Sequence, residues 1–138
     1  YMNNDQARNA MLDYDAYYKA VNGQVNDLFY YYREQAALKA RQYQRALDDI
    51  VKAVELSPKD LTYRAEHAVV NLRVGRYEES MKILNEILKD EPKYGEAYRL
   101  LGLCQIQLKK TDEACGNFNK AKELGDPNVD ELIKKYCK

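Results

Sequence analysis

Side chains that could act as nucleophiles, bases or phosphate ligands are few and scattered in this sequence. The single histidine, His67, has no neighbouring residue that would orient it as a general base. Ser57 stands beside a proline turn and Ser80 belongs to a repeated packing position, so neither pairs with a base. The glycine patterns of phosphate-binding loops, GxGxxG and GxxxxGK[ST], are missing. We therefore expect no catalytic residue and no enzymatic activity.

The cysteines give no metal-binding pattern. Zinc sites need several Cys, His or carboxylate ligands at set spacing, and no C-x-x-C pair occurs among Cys104, Cys115 and Cys137. Cys104 and Cys115 fall in predicted helices as small packing residues and Cys137 falls in the final helix, so buried free thiols are the default interpretation. We expect no metal and no cofactor.

Composition narrows the class of partner. The 22 lysines and arginines balance 22 acidic residues, whereas a nucleic-acid binder normally shows a basic excess. No apolar run approaches the ~18 residues of a membrane helix. The sequence opens on Tyr1 without a signal-peptide pattern, so we expect a fragment or processed chain. We predict a protein or peptide partner, with no nucleic acid and no membrane insertion; exported and cytoplasmic locations both stay open.

The elements that position these residues follow a repeat. The interval between Pro58 and Pro92 recurs along the chain, and six further columns of mostly similar residues keep the same step. The columns are Tyr43, Tyr77 and Thr111; Ala46, Ser80 and Ala114; Ile50, Leu84 and Phe118; Ala53, Ile87 and Ala121; Tyr30, Arg64 and Tyr98; and Glu34, Ala68 and Gly102. Small residues allow two helices to approach closely, and large apolar ones fill the space between hairpins. Each unit is therefore predicted to contain two helices of roughly 14 residues, with Gly75 ending one and the prolines ending others.

A helix-turn-helix repeat of about 34 residues resembles the tetratricopeptide-repeat family. The third unit is most similar, through Tyr98, Leu101-Gly102, Ala114, Phe118 and Ala121, and the resemblance covers about residues 27 to 126. Four residues depart from the family pattern: Arg33 and His67 replace a leucine, Glu34 a small residue and Arg64 an aromatic one. The matching positions are packing positions, so they specify the fold and carry little information on function.

The resemblance implies one all-α domain over residues 1–138, wound as a right-handed superhelix. We predict an amino-terminal helix at 4–22, repeats at 27–60, 61–94 and 95–127, and a capping helix at 128–138. The amino-terminal helix has two interpretations. It is a simple cap, or it is the second helix of a further hairpin, because Lys19-Ala20-Val21 echoes Lys52-Ala53-Val54.

In this family the first helices of the hairpins line a concave groove that holds extended peptides or helices. By register, the residues expected to contact a partner there are Tyr31, Gln35, Leu38, Glu66, Val69, Leu72, Arg73, Arg99, Leu103 and Ile106. The family's clamp for the carboxylate of a chaperone tail uses lysine, asparagine and arginine. Here the equivalent places hold Tyr31, Gln35, Glu66, Glu96 and Leu100, which disfavours an acidic tail.

Three functions remain open at this point. The first is a scaffold that binds a partner's peptide or amphipathic helix in the groove. The second is an assembly segment, in which the array continues through the amino-terminal helix into a longer chain or a second copy. The third, a receptor for a small ligand or glycan, would need an enclosed pocket, which an open helical face rarely provides.

The cysteines acquire a further interpretation from the resemblance. Some bacterial tetratricopeptide proteins of the exported type are similar in this carboxy-terminal stretch, with a cysteine after the small alanine and another that closes the chain. That resemblance implies a disulfide between Cys115 and Cys137 as the alternative to free thiols. A disulfide would in turn imply an oxidising compartment.

Overall fold

A computed structural model describes residues 3–138 and shows eight α-helices and no strand in that range. The helix bounds are α1 Asn4–Ala20, α2 Asp27–Lys39, α3 Tyr43–Leu56, α4 Leu61–Arg73, α5 Tyr77–Asp90, α6 Gly95–Gln107, α7 Thr111–Glu123 and α8 Asp130–Tyr136. The predicted all-α class is confirmed. The six helices α2–α7 follow one another along the chain as three consecutive pairs, each with a short turn between its two helices, and α1 and α8 precede and follow them.

The turn inside each pair has the same backbone geometry at the same place in the repeat. Arg41, Gly75 and Lys109 each have positive φ, of 60°, 84° and 62°. A left-handed residue at this point ends the first helix and lets the chain reverse. Gly75 takes this conformation without steric cost, whereas Arg41 and Lys109 show that the turn is imposed even on residues with a side chain.

The chain divides into two compact units, Tyr1–Val70 and Asn71–Lys138. In the first unit α2 packs on α1 and on α3. The repeat columns supply the centre of its core, since Ala46, Ile50 and Ala53 are fully buried. Asp27 in the first turn of α2 accepts hydrogen bonds from the hydroxyls of Ser57 (2.8 Å) and Tyr63 (3.0 Å), and these bonds lower its pKa. It thereby ties α2 to the end of α3 and to α4.

In the second unit α6 packs on α5 and α7, and α8 packs on α7. Ala114, Phe118 and Ala121 are fully buried beside Val129. Leu132, Ile133 and Tyr136 of α8 are half-buried against this cluster. Cys115 of α7 and Cys137 after α8 are joined in a disulfide, with 5.7 Å between their Cα atoms.

Gly102 of α6 packs directly against the ring of Phe118 on α7. A Cβ atom at this position would lie 2.4 Å from a ring carbon of Phe118. In the first helix pair the same two columns hold Glu34 and Ile50, so the residue on the first helix is larger there and the residue on the second helix is smaller.

We expect Gly102→Ala to destabilise the protein by about 1–3 kcal/mol, because the fully buried Phe118 has no room to retreat. Urea denaturation followed by circular dichroism measures the change. Gly116→Ala is the matched control, since this exposed helical glycine has nothing within 4 Å of the added carbon. That variant should gain roughly 0.5–1 kcal/mol from its helix propensity. Equal behaviour of the two variants would contradict the close approach.

Candidate functional site

The predicted partner-binding residues of the first unit lie on α2 and α4. Tyr31, Gln35, Glu66 and Val69 are half-buried, so each presents part of its side chain to solvent. The prediction for Leu38 is wrong, because this side chain is only 8% exposed and belongs to the core of the unit. We call the four remaining residues the α2–α4 surface.

The predicted residues of the second unit are more strongly engaged within that unit. Arg99 donates from Nε to both carboxylate oxygens of Asp126, at 3.1 Å each, and its Nη2 lies 3.7 Å from Glu96. Leu103 and Ile106 are half-buried against the cluster that α7 and α8 form. Leu72 is half-buried and Arg73 exposed at the end of α4. These residues stay predictions as contacts for a partner.

The α2–α4 surface is a continuous patch within the first unit. The ring of Tyr31 lies 5.2 Å from that of Tyr63 on α4 and 5.6 Å from that of Tyr32. Burial and the nearby carboxylates of Glu66 and Glu34 raise the pKa of Tyr31, which also shares a hydrogen bond with Gln35. The aromatic ring of Tyr31, the amide of Gln35 and the carboxylate of Glu66 therefore lie close together.

A buried acid lies beneath this surface. Glu34 is 0% exposed, and neither of its carboxylate oxygens has a hydrogen-bond partner within residues 3–138. Burial and the charge of the nearby Glu66 raise the pKa of Glu34 to about 11, with a smaller contribution from Asp49. Glu34 is therefore a neutral acid at physiological pH.

Arg33, the other departure from the family pattern on α2, is the centre of an ion-pair network. It donates to both oxygens of Asp49 on α3, at 2.9 Å each, and lies 3.3 Å from Asp15 on α1. Its guanidinium also lies 4.9 Å from the ring centre of Tyr18 and 5.1 Å from that of Phe29. Arg33 therefore holds three helices together and is not available to a partner.

A second surface, which the sequence did not single out, lies between α1 and the start of α2. Two adjoining pockets of about 740 and 480 Å³ share Tyr14, Tyr17 and Phe29 in their walls. Tyr17 is 55% exposed and Tyr32, at the edge, is 50% exposed. We call this the aromatic groove. Phe29 stands in the same repeat column as Tyr63, which is only 4% exposed because the preceding first helix covers it.

The residues described give little support for a metal site, for a reactive thiol or for a membrane-spanning helix. Between residues 3 and 138, no three His, Cys, Asp or Glu side chains are placed to hold a metal ion. His67 is half-buried on α4. Cys104 is a buried free thiol, and burial raises its pKa, which lowers the fraction of reactive thiolate. None of the helices described is both long and apolar enough to span a membrane.

Two family models match the chain. The model described as "Anaphase-promoting complex, cyclosome, subunit 3" matches residues 3–87, and "Tetratricopeptide repeat" matches residues 66–129. Among curated proteins, Heat shock protein STI1 of Saccharomyces cerevisiae is 31% identical over 101 residues, which are 70% of this chain and 17% of that protein. Small glutamine-rich tetratricopeptide repeat-containing protein 2 of Mycosarcoma maydis is 29% identical over 72% of this chain and 28% of its own length. The chain thus spans less than a third of either relative.

Solved structures share the fold at low sequence identity. YrrB, described as a TPR protein with an unusual peptide-binding site, has a TM-score of 0.79 and 20% identity, covering 95% of this chain and 67% of its own. The first TPR of Spaghetti (RPAP3), bound to the HSP90 peptide SRMEEVD, has a TM-score of 0.70 and 19% identity, covering 80% and 90%.

Proposed function

Because this chain belongs to the tetratricopeptide-repeat family, we propose that it is a protein-interaction module whose α2–α4 surface binds a peptide or helix of a partner. The observation that carries the proposal is the contiguous, half-buried strip of Tyr31, Gln35, Glu66 and Val69 on two successive first helices. A strip that mixes apolar and polar side chains is typical of a protein contact. The chain acts by binding, without catalysis.

The partner differs in chemistry from an acidic chaperone tail. The relative that binds SRMEEVD holds a peptide with adjacent glutamates and a terminal aspartate. In this chain the carboxylate of Glu66 lies on the surface and would repel such a peptide. We therefore propose a neutral or basic segment as the partner.

Adding a positive charge to the surface tests this function. Val69→Lys should lower capture of the partner from the source cell by at least about tenfold, because it places an unpaired charge in the contact and repels a basic segment. Asn85→Lys adds the same charge at an exposed site on α5 and should leave capture unchanged. Quantitative mass spectrometry of the two pull-downs provides the measurement. Equal recovery with both variants would exclude the α2–α4 surface.

The aromatic groove supports a second candidate, in which this segment serves assembly with another helix. Leu28, Tyr17 and Tyr32 are 46%, 55% and 50% exposed, which is unusual for three large side chains so close together. Light scattering separates this candidate from the first. Tyr17→Asp should abolish association of the chain with the other helix only if assembly uses the aromatic groove.

A further inference from the structure

The side of α1 that borders the aromatic groove corresponds to a buried side of α3. The echo of Lys52-Ala53-Val54 in Lys19-Ala20-Val21 sets the register between the two helices. On α3, which packs on α2, three residues of this side are fully buried: Ala46, Ile50 and Ala53. Their three counterparts on α1 are all exposed: Asp13, Tyr17 and Ala20. The side that α3 covers with its paired helix is therefore open on α1.

The start of α2 shows the same difference. Phe29 shares its repeat column with Tyr63, which is only 4% exposed. Tyr63 is covered by α2, since its ring lies 5.2 Å from that of Tyr31 and its hydroxyl donates to Asp27 at 3.0 Å. Phe29 has no such helix over it within residues 3–138 and lines both pockets of the groove. The equivalent column thus indicates what fits here, which is a helix placed as α2 is placed on Tyr63.

The turn that joins the helix pairs is not used beside this groove. In the first pair the turn residue is Arg41, and its counterpart in the register of α1 is Arg8. Arg8 lies inside α1, and its neighbours Ala7 and Met11 are fully buried in the core of the unit. This part of α1 is therefore held as helix. A helix docked in the groove does not reach it through the short turn of the repeat, which points to a helix of another chain.

The charge of the groove restricts the chemistry of that helix. Asp13 is the only charged residue among those within residues 3–138 that line the two pockets; the others are aromatic, aliphatic or amide side chains. Asp13 also occupies the place that Ala46 holds on α3, so a docked helix would cover its carboxylate. A carboxylate that is removed from water destabilises a contact unless a cation pairs with it. The helix that fits therefore carries a basic residue at this point.

We propose that the aromatic groove binds an amphipathic helix of another chain, with its apolar side on Tyr14, Tyr17 and Phe29 and a lysine or arginine paired with Asp13. The inference rests on the second candidate function, since it names the kind of helix with which this segment assembles. A helix lies in such a groove through apolar residues spaced by three and four positions. Aromatic rings suit this contact because they offer a large and rigid area.

The probe for this site is a synthetic peptide of residues 26–40, because α2 is the helix that covers the equivalent place on Tyr63. A lactam bridge between Leu28→Lys and Tyr32→Asp, two exposed positions of α2, keeps the peptide helical. Ala37→Lys supplies the base. This position shares its column with Gln105, whose side chain hydrogen-bonds to α7 at 2.7 Å, so it faces the paired helix.

Fluorescence anisotropy of the labelled peptide with the whole chain measures binding. Tyr17→Asp should weaken the affinity by at least about tenfold, because it places a charge in the apolar contact. Leu56→Asp is the control, since Leu56 is also 55% exposed but lies at the end of α3, outside the groove, and should leave the affinity unchanged. Absence of binding to the natural chain, or equal affinity of the natural chain and Tyr17→Asp, would overturn the inference.

Exchange of charges tests the pairing with Asp13. The natural chain should bind the Ala37→Lys peptide about fivefold more tightly than the Ala37→Glu peptide, and Asp13→Lys should reverse this order. An order that is the same for both proteins would overturn the basic residue. If the peptide fails to bind while Tyr17→Asp still abolishes association in light scattering, only this inference fails. If the peptide binds and Tyr17→Asp leaves association unchanged, the second candidate function fails instead.

Discussion

Replacing Arg33 with leucine should destabilise the first unit by about 3–5 kcal/mol, although leucine is the usual residue of this repeat column. The guanidinium is 12% exposed and the carboxylate of Asp49 is 6% exposed, so both charges are largely removed from water. Without Arg33 the charge of Asp49 has no comparable partner on α2. The cost of that buried charge exceeds what the added apolar contacts of leucine would contribute.

The loss should depend on pH in a defined direction. Burial already raises the pKa of Asp49 above its ordinary value, and hydrogen bonds from Arg33 oppose that rise. In Arg33→Leu the largest opposing effect is lost and only the charge of Arg45 still lowers this pKa, so the folded protein binds a proton at a pH where the unfolded chain does not. Stability of the variant is therefore highest at acidic pH and falls as pH rises through the raised pKa of Asp49. Denaturation with urea at acidic and neutral pH measures both values.

Controls for this prediction come from the same network. Arg45 also pairs with Asp15, but it is 42% exposed, so Arg45→Leu should cost less than about 1 kcal/mol. The double variant Arg33→Leu with Asp49→Leu removes both charges and should recover most of the stability. A loss in Arg33→Leu that is no larger than in Arg45→Leu, or that is equal at both pH values, would contradict the buried ion pair.

The fold was predictable because the repeat places equivalent packing residues at equal steps. Ile50, Leu84 and Phe118 recur at the repeat interval and are all fully buried, so each column reports the same local contact three times. The turn at Gly75 was predictable because a left-handed residue is needed where the first helix ends, and glycine adopts that conformation readily. Because several columns define the repeat together, a few irregular residues do not hide the repeat interval.

The site was less predictable, because its chemistry lies in residues that break the repeat. The sequence marks Arg33 and Glu34 as departures but does not indicate their partners, which come from other helices. One signal was available: Arg33 and Asp49 stand in the two columns that Leu101 and Asn117 hold in the third repeat. Opposite charges in those columns occur only in the first repeat, and they predict an ion pair across that hairpin.

The error at Leu38 has a physical cause as well. Register alone assigns this column to the partner-facing side, yet Leu72 and Ile106 in the same column are themselves half-buried. The column lies in the last turn of each first helix, where Leu38 packs beside Ala37 and Ala40 in the core. Leucine at this place therefore turns inward, and burial of its side chain removes it from the surface.

Reduction of the Cys115–Cys137 disulfide should destabilise the second unit by about 3 kcal/mol, the value expected for a closed loop of this size. The two cysteines are 22 residues apart, and the bond joins α7 to the end of the chain. The seven residues of α8 are too few to form a stable helix alone, so this helix depends on its attachment to α7. After reduction we expect α8 to detach first and to expose the cluster around Phe118 and Val129.

Thiol titration in denaturant establishes the starting state, with one reactive cysteine, Cys104, before reduction and three afterwards. Hydrogen exchange then locates the effect, since amides of α8 should lose protection on reduction while those of α2 and α3 keep theirs. The variant Cys115→Ala with Cys137→Ala is the control and should respond to reductant in neither measurement. Unchanged stability of the natural chain after full reduction would show that packing of Leu132 and Ile133 is sufficient to hold α8 in place.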